Sequence, residues 1–341
     1  MSEANRIRAP GFPDGDAGRG AAPGTLDTTV APLPVGMVGA GRSRNGLGPF
    51  LAEFLEAAGF VVVGVAGRSP ERAAANAEAL GRRLGHEVNA CASLAALCRS
   101  GVAALVIASP AEFHLEALHA GASARLPTLC EKPLVHESDG QQGAAVIETF
   151  ARERLPLLEN CQWPYVLPAF VQLHGAIRAG AEVRVEMGLG PPRRGREMVQ
   201  NTVSHLLSVV QAVATLDSGA VVTDVEIDDP TYNATNNMLR FCLAGSGRTV
   251  EGVLHLEICV APPRPAWLAI DGRRIDRKVG EGHAIAFSAQ GEDVAIGDPM
   301  RALVKHFALL VRRRDPALMD RDRALVRQRL DWYRQILGKL G

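Results

Sequence analysis

The feature that most restricts this chain is a repeat of short apolar runs, each leading into a segment with helical spacing. The first run, 35–38, ends at Gly39; a glycine-rich stretch follows, and Pro49 opens a segment reaching residue 58 whose apolar residues recur with helical period. Proline suits a first helical position because the N–H it lacks would have no partner there. Gly59 can close that helix in the left-handed conformation. Further apolar runs at 61–65, 103–108, 126–130 and 156–159 are interleaved with helical segments at 70–80, 93–98, 111–120 and 142–154. Strand-then-helix units join parallel strands by crossovers, so this half predicts a doubly wound parallel sheet. Ligands then bind beyond the carboxyl ends of its strands.

The second half reads differently. A helix over 169–179 precedes a strand at 183–189, and a long helix over 198–214 follows. Extended segments at 220–227, 237–243, 249–260 and 266–270 then come without helices between them, which predicts an antiparallel or mixed sheet. Two helices, 298–313 and 319–339, close the chain. The expected fold is α/β: a Rossmann domain over 32–161, then an α+β domain over 162–341 for substrate binding and oligomerisation. Residues 1–31, rich in Gly, Pro, Ala and Asp, are expected to be a flexible tail.

Charge and cysteine usage narrow the function. Lys plus Arg and Asp plus Glu number 37 each, so the chain lacks the basic excess of a nucleic-acid binder or a polybasic membrane anchor. No apolar run is long enough to cross a bilayer, and no charged-then-apolar leader opens the chain. The six cysteines form no CxxC pair, and His136, His174 and His255 show no ligand spacing, so no metal site is expected. Free thiols among apolar neighbours fit a reducing, cytoplasmic compartment.

The loop Gly39-Ala-Gly41-Arg42-Ser-Arg44-Asn-Gly46-Leu-Gly48 lies between a strand and a helix. Gly39, Gly41, Arg42 and Gly46 are therefore candidates to cradle a pyrophosphate at the helix N-terminus. It departs from GxGxxG, with Arg44 in the place of the third glycine. The second strand ends in Arg68-Ser69 instead of an acidic residue. These donors suit a 2′-phosphate, which favours NADP over NAD.

Further on, Val106-Ile-Ala-Ser109-Pro110, then His114, then Leu129-Cys-Glu131-Lys132-Pro133-Leu134, resemble the Gfo/Idh/MocA oxidoreductases, and His205 resembles that family's catalytic histidine. The likeness is good from about 34 to 205. It implies hydride transfer between nicotinamide C4 and a carbinol or carbonyl carbon of a sugar, sugar derivative or cyclic polyol. By that resemblance Lys132 lies beside the nicotinamide and the reacting oxygen, and Glu131 orients it or contacts the cofactor. A cis peptide often precedes the residue matching Pro133. Ser109, Pro110 and His114 fall at cofactor-side positions, and His205 exchanges the proton, as an imidazole titrating near neutrality can.

The family often has Asp four residues before that histidine; this chain has Asn201, which can hydrogen-bond a substrate but cannot take a proton. That departure keeps two alternatives open: a C=N reductase of the same superfamily, and a dinucleotide-binding sensor or partner protein without activity. Trp163, Tyr165 and Asn201 are weaker substrate-binding candidates, and Arg193, Arg194 and Arg196 form a cluster that a solvated loop also explains. Family members commonly form dimers or tetramers, so a homo-oligomer is expected.

Overall fold

The computed structural model describes residues 31–41, 47–177, 180–245, 247–280 and 284–340. Of the tail expected at 1–31 only Ala31 is among them, so that expectation lies outside the described residues. The chain forms two compact units: one runs to Asn160 and adds 300–327, the other holds 161–299 and 328–340.

The first unit is built on six parallel strands: β1 (Leu33–Val38), β2 (Phe60–Ala66), β3 (Asn89–Cys91), β4 (Ala104–Ile107), β5 (Thr128–Cys130) and β6 (Leu157–Glu159). Their order is β3-β2-β1-β4-β5-β6. The connecting helices are α1 (Gly48–Ala57), α2 (Pro70–Leu84), α3 (Leu94–Cys98), α4 (His114–Ser123) and α5 (Gly140–Arg152). Every residue of β4 is buried, as a strand covered on both faces requires. Leu105, Val106 and Ile107 each contribute roughly 1.5–3 kcal/mol by leaving water. α2 starts where its sequence says: Ser69 accepts the Arg72 N–H at 3.3 Å, Pro70 follows, and Gly85 at φ +81° ends the helix.

The second unit holds α6 (Leu167–His174), β7 (Glu182–Leu189), α7 (Glu197–Gln200), α8 (Val203–Val213) and seven more strands: β8 (Val221–Ile227), β9 (Asn236–Gly245), β10 (Arg248–Glu257), β11 (Ala266–Ile270), β12 (Arg273–Val279), β13 (Ile285–Ala289) and β14 (Glu292–Ile296). The sheet order is β14-β13-β12-β11-β7-β10-β9-β8. Among the described residues only β7 and β10 pair in parallel, so the sheet is mixed, as expected. α8 packs on β7 and β10.

The chain closes with α9 (Pro299–Arg313) and α10 (Pro316–Lys339). Residues 300–327 belong with the Rossmann strands, whereas the sequence placed everything after 162 in the second domain. Specific contacts account for this. Phe307 stacks on Phe60 at 5.8 Å, Arg312 donates to the Gly59 carbonyl at 2.6 Å, and Arg323 donates to the Leu155 carbonyl at 2.9 Å. The remainder of α10 protects the exposed edge of β8. Trp332 donates to the Ala220 carbonyl, Gln335 accepts the Val222 N–H, and Lys339 donates to the Val222 carbonyl.

Three local expectations change. The single helix 198–214 breaks into α7 and α8 at Asn201–Thr202, where the Thr202 hydroxyl donates to the Met198 and Val199 carbonyls and competes with the helical ladder. The helix expected over 169–179 ends at His174. Strands β12 to β14 arise where the sequence suggested none; Asp271-Gly272 and Gln290-Gly291, all at positive φ, are the tight turns that join them.

The β8–β9 connection is organised by Asp229, whose carboxylate accepts the Thr231 hydroxyl at 2.6 Å and the N–H groups of Ala234 at 2.7 Å and Thr231 at 2.9 Å. These donors, the Thr231 hydroxyl foremost, bring its pKa down to about 2. A depressed carboxyl supports the folded loop fully above its unfolded pKa of about 3.9, and that support is lost as pH falls through the folded value. The Thr231 and Ala234 amides are therefore expected to stay protected from exchange at about pH 4 and to lose protection towards about pH 2. Asp229→Ala is expected to leave them unprotected at both; amide NMR reads the difference.

Candidate functional site

In the six-stranded sheet the order reverses between β1 and β4, so a crevice opens at their carboxyl ends. Gly39, just past β1, has φ +76°, and a Cβ there would lie 2.6 Å from the Ser109 Cα. Only glycine lets the two strand ends approach this closely. A Cβ on Gly48 would lie 2.7 Å from the Ala40 backbone, so the start of α1 is pressed onto the turn. Gly41 lies against the Asn76 side chain. Arg42 and Gly46 are outside the described residues.

Two observations fit an anionic dinucleotide here. The first turn of α1 has neither a side-chain cap nor an acidic residue; Pro49 has no N–H and Phe50 and Leu51 donate to the Leu47 carbonyl at 3.0 and 2.9 Å, so the Gly48 N–H is the first-turn amide suited to a phosphate. The buried Ser109 hydroxyl, at the crevice, has no partner among the described residues.

Beyond β2, Arg68 is exposed and its guanidinium sits 4.4 Å from the centre of the Phe113 ring. Ser69 is committed to the start of α2: besides capping it, its hydroxyl hydrogen-bonds the Glu71 carboxylate and lowers that group's pKa. Pro110 precedes the helical turn of Ala111–Phe113. His114 is 1% exposed, and both ring nitrogens face backbone carbonyls, Nδ1 that of Pro133 at 2.9 Å and Nε2 that of Ser109 at 2.7 Å; the neutral imidazole donates to one of them at a time. It ties the end of β4 to the Glu-Lys-Pro segment. Burial lowers its pKa, and these carbonyls work in the opposite direction.

Glu131, Lys132 and Pro133 leave the carboxyl end of β5, and the Lys132–Pro133 peptide is cis, as the family resemblance implied. A second cis peptide, Pro262–Pro263, was not foreseen. Glu131 is half-buried, yet its carboxyl lies deep enough that desolvation dominates and raises its pKa against the opposing pull of Lys132 and Asn160. Asn160, one residue past β6, donates its side-chain amide to Glu131. The sequence reading missed Asn160; its place next to the carboxyl end of the last parallel strand was the available signal.

In the second unit His205 lies in the first turn of α8 and is 9% exposed. Asn201 is exposed and lies in the break before α8, so it and His205 are not on one continuous helix, whereas a single helix over 198–214 was expected. Trp163, 4% exposed, packs edge-on against Phe287 with ring centres 6.1 Å apart, which gives it a core role. Tyr165 is half-buried in the turn before α6. The arginines are engaged locally: Arg193 with Glu197, Arg194 with the Asn233 carbonyl, and Arg196 with the Leu337 carbonyl. Among the described residues no three His, Cys, Asp or Glu side chains cluster to hold a metal, and no helix is long and apolar enough to cross a membrane.

Residues 33–159 match a family described as an oxidoreductase family with an NAD-binding Rossmann fold, Gfo/Idh/MocA. No curated protein matches this sequence. Among solved structures, the chain resembles a UDP-N-acetylglucosamine 3-dehydrogenase from Acidithiobacillus ferrooxidans (20% identity, 90% of this chain and 97% of that one, TM-score 0.63). It also resembles a 3-ketoreductase from Actinomadura kijaniata in complex with TDP-benzene and NADP (18%, 88% and 96%, 0.60). A third is an inositol dehydrogenase homolog from Azotobacter vinelandii complexed with NADH and myo-inositol (15%, 91% and 96%, 0.60). At these identities the three structures establish the fold; the family match adds the chemistry. Residues 33–159 match the NAD-binding Rossmann domain of the Gfo/Idh/MocA oxidoreductases.

Proposed function

We propose that the chain is an NADP(H)-dependent dehydrogenase or reductase acting on a carbinol or carbonyl carbon of a sugar, sugar derivative or cyclic polyol. The observation that carries this reading is His114, buried between the Ser109 and Pro133 carbonyls, which places the Glu-Lys-Pro segment beside the crevice of the Rossmann sheet. When bound, the nicotinamide supplies or accepts the hydride. Lys132 donates a hydrogen bond to the reacting oxygen and polarises it. His205 takes the hydroxyl proton in oxidation and returns it in reduction, with Tyr165 and Asn201 as further substrate-binding groups. The similar proteins named as a UDP-N-acetylglucosamine 3-dehydrogenase, a 3-ketoreductase and an inositol dehydrogenase homolog support the substrate class.

With Ser69 committed to its helix, Arg68 is the cation proposed to meet the 2′-phosphate. Arg68→Ala is expected to weaken NADPH binding about tenfold or more, and NADH binding by far less, as loss of a charge-assisted contact implies. Equal weakening of both would refute the 2′-phosphate role.

The reaction is tested by following nicotinamide absorbance against nucleotide sugars, keto sugars, inositols and cyclic imines. Turnover of a sugar or polyol is expected. Turnover of imines alone, or cofactor binding without turnover of any compound, would overturn the proposal.

A further inference from the structure

Asn160 is 1% exposed and held firmly: its backbone N–H donates to the Cys130 carbonyl at 2.7 Å, which fixes it beside the end of β5. Its side-chain amide donates to the Glu131 carboxylate and also approaches the Met300 sulfur at 3.5 Å. Thioether sulfur is a weak acceptor, so the carboxylate is the partner that matters. The amide oxygen is buried and has no partner among the described residues. An apolar side chain would fill the position without that cost, so packing alone does not account for an asparagine here.

We propose that Asn160 is a positioning residue, whose amide N–H holds Glu131 as the anion that faces Lys132. This rests on the reading of Lys132 as a catalytic group. Glu131 is faced by Lys132 and Cys130 from its own segment and by Glu159 from β6, while the α9 neighbour of Asn160, Met300, is neutral. Glu159 is itself buried and accepts the Leu134 N–H at 3.1 Å. Burial and Glu159 favour the protonated acid at Glu131; Lys132 and Asn160 favour the anion. With Asn160 in place, Lys132 keeps a fixed counter-charge that orients its ammonium. Without it, Glu131 takes up a proton at a higher pH and the lysine loses that anchor.

The test uses the full chain carrying ¹³C at the glutamate carboxyls, with the Glu131 signal assigned from Glu131→Gln. Asn160→Leu is expected to raise the Glu131 midpoint by about one to two pH units, as loss of a hydrogen bond to a charged group implies. Asn160→Asp keeps the shape but sets a second carboxylate against the first, and is expected to raise it further. A purely structural role would lower the melting temperature of Asn160→Leu and leave its Glu131 midpoint where it was; an unmoved midpoint in Asn160→Leu overturns the inference. Turnover of Lys132→Ala on the most active compound of the panel separates the two claims. If Lys132→Ala is inactive and the midpoints do not move, the positioning role alone fails. If Lys132→Ala turns over like the wild type, the assignment of Lys132 fails and the positioning role with it.

Discussion

Lys132→Ala is expected to lower kcat by about 10²–10⁴-fold, the range for removing a positioned acid–base group, while NADPH affinity stays within about threefold. The separation follows from where the residue sits. Dinucleotide binding is assigned to the Gly39–Ser109 approach, the start of α1 without side-chain cap or acidic residue, and Arg68, none of which Lys132 supports. The Glu-Lys-Pro segment is fixed by other atoms: the His114 contact to the Pro133 carbonyl and the Glu159 contact to the Leu134 N–H both persist when the lysine is cut back. The melting temperature should therefore change little. Equal losses in kcat/KM and kcat would mark an interaction made in the transition state, whereas a rise in KM alone would mean that Lys132 only binds substrate. Lys132→Arg is expected to recover little, because a planar guanidinium does not reproduce a compact ammonium.

Gly39→Val is expected to reduce NADPH affinity about 100-fold or more, equivalent to about 2.8 kcal/mol, and to lower the melting temperature by about 5 °C or more. Two costs combine. A branched residue at φ +76° is strained by roughly 1–2 kcal/mol or more, and its Cβ would sit 2.6 Å from the Ser109 Cα. The second cost is relieved only by moving the ends of β1 and β4 apart, which dismantles the crevice. Gly85→Ala is the control. That position has φ +81° but nothing within 4 Å of the added carbon, so it should show the strain and leave NADPH binding intact. Calorimetry and a binding titration on both variants separate strain from clash.

The first domain was readable because its signals are local and redundant. Periodicity, a proline at a helix start and glycines at helix ends all name the same strand-helix units, and a parallel sheet buries both faces of strands such as β4. Strands β12 to β14 are fainter in the residue pattern. β12 is Arg273-Arg-Ile-Asp-Arg-Lys-Val279, where one buried residue, Ile275, sits among charges, so the apolar pattern is faint and only the Asp271-Gly272 turn announces a hairpin. The break between α7 and α8 depended on one hydroxyl, Thr202, and apolar spacing runs through it undisturbed. The attachment of 300–327 to the first unit depended on contacts such as Phe307 on Phe60, far apart in the chain and invisible to any window.

The candidate site divides in the same way. Residues that belong to a contiguous motif, Gly39, Ser109 and Glu131 to Pro133, were legible as a set. Whether Ser69 would cap a helix, whether Trp163 would enter the core, and that Asn160 would reach Glu131 were decided by side-chain packing.

The claim on which the rest depends is that the crevice between β1 and β4 takes a phosphorylated nicotinamide dinucleotide. It is tested most directly by titrating the purified protein with NADPH and with NADH and following nicotinamide fluorescence. Saturable binding of both is expected, tighter for NADPH, with the preference lost in Arg68→Ala and both lost in Gly39→Val. Tighter binding of NADH would contradict the role given to Arg68, and failure of either dinucleotide to bind would contradict the account as a whole.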